Sequence, residues 1–269
     1  MTSMRRPEAL ADDRAFYAAM ALLFVGSATA TLAWCESMAS MPGMEMPGGW
    51  RMPMAWMRMP GQSWENAAAV FIGMWSLMMV AMMLPVLVPA LRRYRQATGL
   101  HDAARLGTLT ALTALAYFSV WVWSGLAIYP LGIALAELQM RVSWVARLVP
   151  LAAAIAVMLA GAWQLSAWKS RQLACCRPTM RPSFAPPTAA ATAWRYGLQL
   201  GLRCFKCCAP LTALLLVLGA MELRVMAGAT AAIALERLAP ARWLATAVIG
   251  VAMIALGTLR LLAALAQPL

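Results

Sequence analysis

Long apolar runs constrain this chain more than any other feature. A helix that crosses a bilayer needs roughly 20 apolar residues, and seven stretches approach that length: Phe16–Trp34, Asn66–Leu91, Leu106–Tyr129, Trp144–Trp168, about Trp194–Gly219, a shorter Met221–Leu238, and Ala241–Leu265. The 269 residues are 63% hydrophobic and 12% charged. That is about half the charged fraction of an ordinary soluble domain. The expected fold class is therefore all-α, a polytopic transmembrane helix bundle of about seven spans with the lipid bilayer as its solvent. Residues 15–34 read as a retained first span, since no convincing small-residue cleavage site precedes Cys35.

The distribution of cations sets the expected orientation. Cytoplasmic segments collect Lys and Arg. With the N-terminus (1–14) inside, the inner segments hold Arg5, Arg6, Arg14, Arg92, Arg93, Arg95, Arg105, Lys169, Arg171, Arg177, Arg181, Arg195, Arg237 and Arg242. The outer segments and outer helix ends hold only Arg51, Arg58, Arg141, Arg147, Arg224 and Arg260. The reading is N-in and C-out, with the 221–238 span as its weakest link: if that segment is re-entrant, the last helix reverses. A bundle (66–269) then carries a Pro-rich cytoplasmic connector at 169–195, with Pro178, Pro182, Pro186 and Pro187. The net charge of +12 follows from inside-loop cations, and no motif points to nucleic acid.

A single histidine and ten carboxylates argue against hydrolytic, His-ligated zinc or bis-histidine haem chemistry, and no catalytic residue is assigned. Soft side chains are abundant instead: 22 Met, 12 Trp and 6 Cys. The outer loop 35–65 contains Met38, Met41, Met44, Met46, Met52, Met54, Met57 and Met59, interspersed with prolines and glycines that preclude a regular helix. Thioethers select Cu(I) among the common metals, and Trp50 and Trp56 can present an indole face to a cation. Copper or silver capture is one reading, and a Met-rich segment lying on the bilayer is the other. In the second span, Met74, Met78 and Met82 recur every four residues on one helix face, flanked by Met79 and Met83. Such a ladder could relay a soft cation or simply pack. Pro85 and Pro89 are expected to kink or end that helix.

Cys204, Cys207 and Cys208 are spaced i, i+3, i+4, so one helical turn gathers three thiols on one face. The expected position is the cytoplasmic end of the fifth span, near Cys175 and Cys176, where Arg203 and Lys206 would lower the thiol pKa or snorkel to headgroups. Metal ligation, thiol redox chemistry and structural packing all remain open at this point. Glu222 and Glu236 are candidate intramembrane carboxylates, and His101 reads as solvated.

Three segments carry a family resemblance: "MWSLMMVAMMLPVLVP", "AGAWQLSAWKSRQLACCRP" and "GLQLGLRCFKCCAPL…LGAMELRVMAG…LER". In this order, over roughly Trp64 to Leu262, they resemble a bacterial family described as predicted metal-binding integral membrane proteins. The resemblance implies functional roles for Cys204, Cys207 and Cys208, for Ala81, Met82, Met83 and Pro85, for Met221 and Met226, and for Lys169 and Glu236. It also implies a bacterial cytoplasmic (inner) membrane location. The chain departs from the pattern at Gln172, where a cysteine is usual; at Ala209, usually aromatic; at Glu222, usually asparagine; and at Lys206, usually small. Cys175 and Cys176 are adjacent here, which is also unusual. The leading functional expectation is a Cu(I)-binding membrane protein in metal transport, or in delivery to a copper-dependent membrane oxidase. The alternatives are an accessory subunit that packs against other membrane proteins, and a membrane thiol oxidoreductase.

Overall fold

A computed structural model describes residues 7–39, 43–47, 49–52, 56, 61–100, 102–175, 189–219, 222–239 and 241–266. Eight helices follow one another among these residues. They are α1 (Pro7–Ala39), α2 (Trp64–Thr98), α3 (Ala103–Arg141), α4 (Ser143–Gln164), α5 (Ala167–Cys175), α6 (Ala190–Leu218), α7 (Leu223–Leu238) and α8 (Arg242–Ala266). All but α5 and α7 are long and apolar enough to cross a membrane. The all-helical expectation holds, with one small exception between α1 and α2.

That exception is an antiparallel hairpin, β1 (Met44–Met46) and β2 (Trp50–Met52), in register Met44↔Met52, Glu45↔Arg51 and Met46↔Trp50. The turn closes through Gly49 N–H to Met46 O at 3.2 Å, with Gly49 at φ 72°, a conformation open to glycine. Side chains alternate across a strand. Met44, Met46, Trp50 and Met52 therefore share one face, while Glu45 and Arg51 pair at 3.0 Å on the other. The methionine face lies on Ala136 and Ala146, and Trp50 Nε1 donates to Ala146 O at 2.9 Å. The sequence reading treated 35–65 as an irregular loop. Its first residues instead extend α1 to Ala39, and part of the remainder is this hairpin.

Helix boundaries follow capping chemistry as well as hydropathy. The Ser63 side chain accepts from Asn66 N–H to start α2, and Gly99 at φ 59° ends it. Asp102 caps α3 through the N–H groups of Ala104 and Arg105. α2 continues through Pro85 and Pro89 for more than two further turns, so neither proline ends it. The expected fourth span splits at Leu165–Ser166, which places Trp168 and Lys169 on the separate α5.

Small residues let these helices approach closely. A Cβ on Gly201 would lie 2.8 Å from the Tyr117 carbonyl, and one on Gly161 would lie 2.9 Å from the Gly250 carbonyl. The contacts fix helix direction. Phe16 lies under Arg95 and Tyr94 stacks on Tyr196, so the start of α1, the end of α2 and the start of α6 share one end of the bundle. The end of α3, the start of α4 and the hairpin share the other. Gly161 of α4 meets Gly250, and Ala154 lies by Gly257, so α8 runs antiparallel to α4 and finishes at the hairpin end. α7 is the short element, 16 residues and about 24 Å long. Its Met226 touches Cys35 near the hairpin end, and its Glu236 meets Gln164 at the end of α4.

Candidate metal centre

The core is rich in sulfur. Met74, Met78, Met79, Met82 and Met83 of α2 are all buried, in one cluster with Cys204 and Cys208 of α6, Met226 of α7, Met253 of α8 and Cys35 of α1. The four-residue spacing of Met74, Met78 and Met82 thus points inward, as its periodicity requires. Cys35 Sγ and Met226 Sδ are 3.8 Å apart.

The three-thiol turn is fully interior. Cys204, Cys207 and Cys208 are free thiols with at most 1% exposure. Cys204 Sγ and Cys208 Sγ are 3.9 Å apart. Two metal–thiolate bonds of about 2.3 Å, the zinc–sulfur value, would span that gap. The Tyr117 hydroxyl of α3 donates to Cys204 Sγ at 3.0 Å. Thr212 Oγ1 donates to the Cys208 carbonyl at 3.1 Å.

Depth is where this turn departs from expectation. Cys204 stands 14 residues into α6, about 21 Å from its start, not at the helix end. Arg203 and Lys206 are exposed on the opposite side of α6 and do not face the thiols. A residue one before or two after Cys204 is rotated at least 100° away from it, so the sequence neighbours cannot supply the local charge.

A cation from another helix reaches the backbone of this turn instead. Lys169 of α5 is 0% exposed. Its Nζ donates to the Cys207 carbonyl and pairs with Glu236 Oε2 at 2.9 Å. Gln164 Nε2 of α4 donates to the other carboxylate oxygen, Glu236 Oε1. Pro210, inside α6, has no N–H to offer the Lys206 carbonyl, which loosens the helix where Lys169 approaches. Four helices therefore meet at this network. The resemblance singled out Lys169 and Glu236 separately, and the fold pairs them.

The remaining sequence candidates separate into three groups. Met46 and Met52 are buried at the hairpin end, 7% and 1% exposed, while Met44 is 43% exposed. Met46 and Met52 pack on α3 and α4. Met78 and Met82 belong to the sulfur core. Met41, Met54 and Cys176 lie outside the described residues, as do His101 and Met221, and of Cys175 only the backbone, at the end of α5, is described. Among the described residues no group of three or more His, Cys, Asp or Glu side chains is arranged to hold a metal ion. Among the described residues, the soft donors gathered in the core are a thiol pair, Cys204 and Cys208, with thioethers in the same cluster. Sequence reasoning missed Tyr117, Gln164 and Cys35. The one available signal was that a tyrosine in an apolar span must find a partner for its hydroxyl.

Fold and site together define a helical bundle with membrane-crossing-length helices built around a buried cluster of soft sulfur donors. The chain belongs to the family described as PpoB2: Copper chaperone, which it matches over residues 72–260. Copper handling or delivery is therefore its class of activity, and copper-dependent proteins are the class of partner. The match runs from α2 into α8 and leaves α1, with Cys35, and the hairpin outside. Neither the curated proteins nor the solved structures gave a match.

Proposed function

We propose that this protein is a multi-pass bacterial inner-membrane copper chaperone that binds Cu(I) at Cys204 and Cys208 and passes it on, by transport or by delivery to a copper-dependent membrane oxidase. The observation that carries this reading is the 3.9 Å separation of two buried thiols inside a methionine-lined core. Thiolate and thioether donors suit Cu(I) and disfavour hard divalent ions. Met44, the exposed methionine of the hairpin, makes first contact. Met46 and Met52, with Met41 and Met54 of the same segment, complete the capture region. Met74, Met78 and Met82 line the way from the hairpin end toward Cys204, Cys207 and Cys208. Cys175 and Cys176, the thiols that follow Lys169 in the sequence, receive the ion.

The cation distribution supports placing the hairpin end outside the cytoplasm and the Arg-rich end within it. The direction of α8 supports a C-terminus on the hairpin side. Burial weighs against the thiol-oxidoreductase alternative, because exchange requires that a partner reach the sulfur, and Cys204 and Cys207 have no exposed surface.

The test is copper stoichiometry. Full-length protein purified in detergent binds Cu(I), and the Cys204→Ser, Cys207→Ser, Cys208→Ser triple variant loses the tight ion. Retention of stoichiometric copper by that variant would overturn the assignment. A Met44→Leu, Met46→Leu, Met52→Leu variant keeps the inner ion but loads it more slowly from outside; equal loading rates would remove the hairpin from the route.

A further inference from the structure

Tyr117 is a buried polar group that neither the copper route nor the family description uses. It comes from α3, 87 residues before Cys204, and is 1% exposed. Its hydroxyl donates to Cys204 Sγ at 3.0 Å, and its ring is fixed edge-on against Phe118 at 5.1 Å. Gly201, one turn before Cys204, lies against the Tyr117 carbonyl and allows α6 to come this close.

The direction of that hydrogen bond matters. With the phenol donating, Cys204 sulfur is the acceptor, which is the role a thiolate fills. Cys204 is 0% exposed, so a developing sulfur charge is shielded from bulk solvent. A fixed donor replaces that solvation. A metal-bound thiolate retains lone pairs, so the same hydrogen bond persists once a soft ion is held. Hydrogen bonds from outside the ligand set orient ligands and tune the metal.

We propose that Tyr117 is the positioning residue of the copper site: its hydroxyl orients the Cys204 sulfur and sets the affinity of the Cys204–Cys208 pair for Cu(I). The inference rests on the reading that this pair holds the ion. It makes the three cysteines unequal. Cys204 is oriented by Tyr117, Cys208 closes the pair, and Cys207 serves chiefly through the carbonyl that Lys169 holds.

The experiment uses full-length protein in detergent micelles and Cu(I) competed against a colorimetric Cu(I) chelator. Tyr117→Phe retains the ring and removes the donor. The expected result is an unchanged ion count, an affinity lower by about 10–100-fold, and a shifted thiolate-to-copper absorption band. Metal-free thermal unfolding should match wild type. A second variant, fluorinated tyrosine at position 117, keeps the hydroxyl and strengthens it as a donor; its band should shift the opposite way. Unchanged affinity and band in Tyr117→Phe, or no shift with fluorotyrosine, overturns the proposal while leaving the copper site standing. A wild-type protein that binds no Cu(I), or a Cys204→Ser, Cys208→Ser variant that binds like wild type, overturns both.

Discussion

Lys169 illustrates how a single residue is decided by its surroundings. A fully buried ammonium requires a counter-charge, and Glu236 provides it at 2.9 Å while Gln164 holds the carboxylate from its other side. Removing one member of such a pair leaves an uncompensated charge, at a penalty of roughly 3–5 kcal/mol, whereas replacing both with apolar groups is often neutral. Lys169→Met should therefore lower stability by about that amount. Lys169→Met with Glu236→Leu should recover most of it, as measured by unfolding in detergent. If the double variant is as unstable as the single, the ion pair is not the cause. The i, i+3, i+4 thiol spacing was legible in the sequence because it depends only on helical geometry. The identity of the local cation was not: Arg203 and Lys206 are adjacent along the chain but face away, while Lys169 arrives from another helix.

Helices in this bundle are held by close backbone approach as much as by side-chain size. Gly201 on α6 sits against α3, and Gly161 of α4 against Gly250 of α8. Gly201→Leu would drive a side chain into the Tyr117 carbonyl. The expected destabilisation is about 1–3 kcal/mol, the range for overpacking, together with a loss of copper affinity from separating Tyr117 and Cys204. A variant with wild-type unfolding and affinity would count against this packing. Element identity was largely readable, since each long apolar run became a helix. Element ends were less so, because capping by Ser63 and Asp102 and continuation through Pro85 and Pro89 extend helices past their apolar cores. The hairpin left a signal that the methionines obscured: "MEM" and "WRM" alternate about a Pro-Gly-Gly turn, a strand period rather than a ligand pattern.

Helix directions across the whole molecule make a single testable layout. The starts of α1 and α6 and the ends of α2, α4 and α7 fall at one end; the hairpin and the end of α8 fall at the other. Reporter fusions that are active on one side of the membrane should report the first group as cytoplasmic, and fusions at residue 55 and at the C-terminus as external. A cytoplasmic C-terminus would mean that α7 does not cross, despite its contacts from Cys35 to Gln164.

By itself the sequence determined that the chain is helical, with helices long and apolar enough to cross a membrane, because uninterrupted apolar runs leave few alternatives. It also determined that soft sulfur is concentrated on particular helix faces, because periodicity alone assigns a face. Only the tertiary structure decided which faces meet. It set the thiol turn in the interior of α6, brought Tyr117 to Cys204 and Lys169 to Glu236, and buried Met46 and Met52 of the hairpin against α3 and α4. These contacts join residues far apart in the chain and depend on how small residues let specific helices approach, which no local pattern records.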